Sequence, residues 1–108
     1  MSDCVFCKIA NGEIATTFVA ESEHSVAFKD INPAQPVHVL VVPKQHYADI
    51  AELTASNDAA LLDLIKLGTN VAESLSTGSF RFQFNTGAEA GQTVFHAHGH
   101  ITSRTPRN

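Results

Sequence analysis

Between Thr93 and Ile101 the chain reads Thr-Val-Phe-His-Ala-His-Gly-His-Ile, and half of its six histidines, His96, His98 and His100, stand there at alternate positions. In a β-strand successive side chains point to opposite faces, so an extended segment would put the three imidazoles on one face at intervals of about 6.6–7 Å. Phe95, Ala97 and Ile101 would then pack on the other. On a helix the same spacing swings consecutive rings by roughly 200° and scatters them. The β-branched and aromatic neighbours Thr93, Val94, Phe95 and Ile101 favour the strand. Such a row has two main uses, metal ligation or nucleophilic and acid–base work near neutral pH.

The rest of the chain limits the setting. At 108 residues it is read as one domain, residues 1–108, built on a single core. With 44% hydrophobic and 17% charged residues it is globular in composition, and no apolar run reaches the roughly 18 residues that cross a membrane. Seven scattered Lys and Arg residues against a net charge of −4 exclude a nucleic-acid groove, though not a small anionic ligand. The first residues carry no export pattern, so a cytoplasmic location with reduced cysteines is expected.

Read in order, Cys4 to Gly12 predicts a short helix with both sulfurs on one side. Residues 16–21 and 24–30 predict two strands that stop before Pro33. Val37 to Val42 is the most β-prone run, apolar enough for a strand buried on both faces. Thr54 or Ser56 is expected to cap the one long helix, which runs to about Ser76 with Asp58, Asp63 and Glu73 on its wet face. Phe80 to Asn85 alternates as a half-buried strand. The fold class is therefore α+β: an antiparallel sheet of about five strands with one long and one or two short helices.

The run His96-Ala-His98-Gly-His100, preceded by Gly91-Gln92-Thr93-Val94-Phe95, resembles the signature of the histidine-triad (HIT) nucleotide-binding superfamily. Asp30-Ile31-x-Pro33, His38, Pro43-Lys44-x-His46 and Asn85 also fall where members carry such residues. The branch of small nucleoside phosphoramidases fits best, since it has Asn where the dinucleoside-polyphosphate hydrolases usually have Gln.

The resemblance implies a homodimer and a nucleotidyl hydrolase or transferase that binds AMP or GMP and their conjugates. It makes His98 the nucleophile, with catalytic support from His96, His100, His38 and Thr93. It places His100, Asn85, Gln92 and Thr93 around the α-phosphate and Asp30 on the ribose. Val5, Phe6, Ile9, Phe28 and Ile31 would line the base pocket. Bacterial members with a Cys pair bind structural zinc, here through Cys4, Cys7, His46 and His96, as tetrahedral S and N ligation requires. The alternatives are a non-catalytic purine-nucleotide module, a dinucleoside-polyphosphate hydrolase, or a zinc-storage or zinc-sensing protein. Members usually carry a hydrophobic residue where this chain has Gly99, and a glycine there is expected to weaken the strand.

Overall fold

A computed structural model describes residues 4–107, so the leader expectation, which concerns residues 1–3, lies outside it. The elements in order are α1 (Val5–Ala10), β1 (Phe18–Glu21), β2 (Ser25–Lys29), β3 (Val37–Pro43), α2 (Ile50–Ser56), α3 (Asp58–Leu75), β4 (Arg81–Phe84) and β5 (Gly99–Ser103). The strands form one antiparallel sheet in the order β1-β2-β3-β5-β4. This is the α+β architecture expected, with one long and two short helices.

Layering follows from side-chain alternation along the central strands. Ala27, Val39, Val41 and Ile101 face α3, where they meet Leu64, Leu67, Val71 and Ala72. Val26, Phe28, Leu40 and Val42 face the other way and are covered by Phe6 and Ile9 of α1. Strands β2 and β3 are thus apolar on both faces because helices lie on both faces. No helix among the described residues is long and apolar enough to cross a membrane.

Three local expectations are corrected. The long helix is capped by neither Thr54 nor Ser56, which belong to α2. Asn57 adopts an extended conformation between the two helices, and its side-chain oxygen accepts from the Ala60 amide. Asp63 is not on a wet face: it accepts from the Ser22 hydroxyl at 2.5 Å and the His24 amide at 3.2 Å, tying the β1–β2 turn to α3.

The histidine run is not one strand. Strand β5 begins only at Gly99 and pairs with β3 from Val41↔Gly99 to Val37↔Ser103, leaving His96 and His98 in irregular backbone before it. Competing hydrogen bonds are the cause. The Ala97 amide donates to the Tyr47 carbonyl at 2.6 Å, so this stretch is fastened to the loop after β3 instead of to the strand itself.

Gly99 sits under two aromatic rings. A Cβ built there would meet Phe82 Cε1 at 2.2 Å and Phe84 Cε1 at 2.8 Å, and one built on Gly68 of α3 would meet Phe82 Cε2 at 2.3 Å. The Phe82 ring therefore lies between a glycine of the strand and a glycine of the helix. It fills the core volume that a larger residue at position 99 would take.

Candidate active site and metal centre

The backbone around His98 decides which of its nitrogens is available. His98 is 8% exposed, and its Nδ1 stands 2.7 Å from the His96 carbonyl oxygen, which can only accept. Nδ1 therefore carries the proton and Nε2 keeps its lone pair. The Phe6 ring meets the imidazole edge to face at 5.0 Å, shielding one side.

A second chain of hydrogen bonds fixes the neighbouring ring. The Ala34 amide donates to His38 Nδ1 at 2.9 Å, so neutral His38 has its proton on Nε2. That Nε2 lies 3.1 Å from His100 Nδ1 and 3.3 Å from Asp30 Oδ2. His100 consequently accepts at Nδ1 and presents an N–H at Nε2. Burial, reinforced by His98 and His38, holds the His100 pKa below its ordinary value, and Asp30 opposes the shift only in part. His98 and His100 have ring centroids 5.0 Å apart, so a lone pair and a neutral N–H donor sit side by side. Asp30, His38 and His100 are close enough to suggest a cation site. The Ala34 amide argues against one, because it leaves a proton where the metal would bind.

The ring of His96 turns elsewhere. Its Nε2 donates to the Pro43 carbonyl at 2.9 Å, which aims the Nδ1 lone pair at the two thiols. Nδ1 lies 3.4 Å from Cys4 Sγ, 3.3 Å from Cys7 Sγ and 3.2 Å from His46 Nδ1, and Cys7 Sγ is 3.2 Å from His46 Nδ1. The corners of a tetrahedron with sulfur at about 2.3 Å and nitrogen at about 2.0–2.1 Å from its centre are roughly 3.3–3.8 Å apart. The four separations of 3.2–3.4 Å lie at the short end of that frame, and all four ligand atoms are within 4.8 Å of one another, so the set can close around one ion. A buried imidazole oriented by a carbonyl is also how proteins commonly present a ligating histidine. Burial lowers the His96 pKa to about 4, with His46 and His98 adding to the shift, so the ring is neutral at pH 7 as ligation requires.

The structure therefore brings together Asp30, His38, His98, His100 and Phe6 as one group, and Cys4, Cys7, His46 and His96 as another. Other residues singled out in the sequence are placed differently. Gln92 is 3% exposed and its amide serves the backbone: Oε1 accepts from Gly87, and Nε2 donates to the Ala48 and Val94 carbonyls. Asn85 accepts from Gln83, and Thr93 is exposed. Phe6, Ile9 and Phe28 are packed into the layer under α1, whereas Val5 is 40% and Ile31 92% exposed. Missed altogether were the groups that set the tautomers, the Ala34 amide and the Pro43 and His96 carbonyls. Every residue has such groups, so residue types carry no signal for them.

Comparison with known proteins agrees with this geometry. A family model described as scavenger mRNA decapping enzyme C-terminal binding matches residues 3–107. A HIT-like protein of Synechocystis is 43% identical over 96% of this chain and 92% of its own length. An adenylylsulfatase of Arabidopsis thaliana, HINT3, is 37% identical over 99% of this chain but only 55% of its own length. Among solved structures, a HIT family hydrolase from Clostridium thermocellum superposes with a TM-score of 0.86 at 45% identity, covering 94% of this chain and 90% of that one. A histidine triad protein from Clostridium difficile gives 0.86 at 36% identity, covering 100% and 93%.

Proposed function

The chain belongs to the histidine-triad superfamily, and on that premise we propose that it is a hydrolase of nucleotidyl conjugates, with purine nucleoside 5′-phosphoramidates as the leading class. The observation that carries this reading is the hydrogen bond from His98 Nδ1 to the His96 carbonyl, which leaves Nε2 as a buried, unprotonated nucleophile beside a neutral donor. His98 Nε2 attacks the α-phosphorus, the N–P bond forms, and the bond to the leaving group breaks with its electron pair. An amine leaving group takes a proton from solvent water as it departs, and the water that attacks in the second step returns one to solvent. Water then attacks phosphorus, the N–P bond breaks, and the nucleoside monophosphate is released with His98 restored.

His100 Nε2–H is placed to donate to a phosphoryl oxygen as negative charge builds there. Asp30 is assigned to the ribose hydroxyls, and Val5 and Ile31 extend the apolar layer of Phe6, Ile9 and Phe28 toward a purine. Asn85 and Thr93 are assigned to the phosphate, whereas Gln92 acts by holding the loop that carries Thr93. The adenylylsulfatase name of the Arabidopsis relative supports nucleotidyl conjugates as the wider class. We assign zinc to Cys4, Cys7, His46 and His96; bound there, it supplies a crosslink between α1, the loop after β3 and the segment leading to His98. The reading also includes a homodimer, for which the free edge of β4 and exposed Leu62 of α3 are available, in the reducing cytoplasm.

The test is His98→Asn assayed for AMP release from an adenosine 5′-phosphoramidate and for AMP binding by calorimetry. Binding is expected to persist while turnover falls by about a thousandfold or more. Turnover close to that of the unaltered chain would remove His98 from the nucleophile's place.

A further inference from the structure

The two thiols stand where they can bond to each other. The first turn of α1 closes around them: the Lys8 amide donates to the Cys4 carbonyl at 3.1 Å, and the Cys7 amide donates to Cys4 Sγ at 3.4 Å. Their sulfurs lie within 4.8 Å of one another and meet the same nitrogen, His96 Nδ1, at 3.4 and 3.3 Å. Both residues are half-buried, between exposed His46 and buried His96, so a small solute can reach them. Cysteines one turn apart stay within the Cα separation of about 7 Å that a disulfide tolerates, and side-chain rotation can bring such sulfurs to the bond length of about 2.0 Å.

The same sulfurs fasten α1 to the molecule. Among the described residues, the polar contacts from Cys4 and α1 to anything beyond Ile14 run from these two atoms, to His96 and His46. The remaining hold is apolar, through Phe6 and Ile9 packed on Val26, Phe28, Leu40 and Val42. Phe6, which lies between the two cysteines in sequence, is the ring that covers His98 edge to face at 5.0 Å. The peptide that orients His98 is held by other bonds, from the Ala97 amide to the Tyr47 carbonyl and from His96 Nε2 to the Pro43 carbonyl. The cover over His98 and the orientation of its ring are therefore controlled separately.

We propose that Cys4 and Cys7 are a site of reversible oxidation by hydrogen peroxide, and that their conversion to an intrachain disulfide removes two zinc ligands and frees α1, lifting Phe6 from His98. The inference rests on the zinc assignment above. One thiolate attacks a peroxide oxygen: the S–O bond forms, the O–O bond breaks and hydroxide leaves. The second thiolate attacks that sulfur, the S–S bond forms, the S–O bond breaks and a second hydroxide leaves. The two sulfurs have then given two electrons to the peroxide. What is left of the ligand set is two nitrogens, short of the four donors that structural zinc takes. A dithiol reductant reverses the step by thiol–disulfide exchange.

In the experiment, reduced, zinc-loaded protein is treated with a small molar excess of hydrogen peroxide and then with dithiothreitol and fresh zinc. Released zinc is read with a chromogenic chelator, the Cys4–Cys7 bond by peptide mass spectrometry as the loss of two hydrogens, and the Phe6–His98 ring contact by the nuclear Overhauser effect. Zinc and disulfide are expected to appear in equal amounts, with a Tm lowered by several degrees. The Phe6–His98 signal is expected to vanish while the His98 Nδ1 proton is retained, and the reductant with zinc restores all of these. Zinc kept with both thiols reduced overturns the proposal, as do sulfinic acids or links between chains in place of the intrachain bond. A disulfide that forms with the Phe6–His98 signal and Tm unchanged overturns the release of α1. If the reduced chain binds no zinc, the zinc assignment fails, and the mass and ring contact of the oxidised chain decide the oxidation site.

Discussion

Replacing Gly99 by valine sets strand propensity against packing. Propensity favours the change, since a glycine inside a strand costs about 0.5–1 kcal/mol in chain entropy and valine suits a pleated surface. The surroundings oppose it. The first carbon of the new side chain would start 2.2 Å from Phe82 Cε1 and 2.8 Å from Phe84 Cε1, well inside contact distance. Phe82 cannot retreat toward α3, because its opposite edge already occupies the space where Gly68 lacks a side chain. Overpacking costs about 1–3 kcal/mol, and contacts this short put it near the top of that range, so the net loss is about 2 kcal/mol, or a fall of about 8–16 °C in Tm for a domain of this size. The chain has no tryptophan, so urea unfolding is best followed by far-UV circular dichroism. The combination with Phe82→Leu is expected to recover about 1 kcal/mol relative to the sum of the single changes. A Gly99→Val midpoint equal to or above that of the parent chain, at the same m-value, would refute the packing argument.

Other perturbations address separate parts of the molecule. His46→Ala is expected to reduce bound zinc below one per chain and to lower Tm by several degrees; elemental analysis showing a full zinc complement would exclude His46 as a ligand. In metal-stripped protein, His96 is neutral when folded down to about pH 4 but protonates near its ordinary value of 6.5 when unfolded, so stability is present above pH 6.5 and is lost as pH falls toward 4. The loss is expected to be on the order of 3 kcal/mol, read from denaturant midpoints across that range, and should shrink in His96→Gln. Asp63→Ala removes the acceptor for Ser22 and His24 and is expected to cost about 1–2 kcal/mol, where a solvated helix carboxylate would cost almost nothing.

Much of this molecule can be read from residue order because the signals are periodic or compositional. The apolar run from Val37 to Val42 implies a strand with helices on both sides, and the alternation of Phe80, Phe82 and Phe84 marks β4. The Cys4-x-x-Cys7 spacing points to two ligands of the four-atom cluster, and the family resemblance, not the spacing, points to His46 and His96. What escaped depends on contacts distant in sequence. Thr54, Ser56, Asn57 and Asp58 offer four capping side chains almost in a row, so residue types alone do not single out Asn57 as the break. Asp63 looks solvated until the β1–β2 turn is folded over it. The histidine run has every local preference for a strand, yet the Tyr47 carbonyl takes the Ala97 amide first. Gly99 reads as a weakness only until Phe82 is seen to fill its place.

His96 joins the two clusters through different parts of one residue. Its imidazole lies among the sulfur and nitrogen atoms of the proposed zinc site, while its main-chain oxygen accepts from His98 Nδ1 and so positions the ring proposed as nucleophile. Even without the thiols the buried imidazole would still donate to the Pro43 carbonyl, a bond that helps hold the peptide whose oxygen orients His98. The ring of the first histidine is thus turned toward the two cysteines, while the rings of the other two stand 5.0 Å from each other, so one short stretch of chain serves two separate clusters.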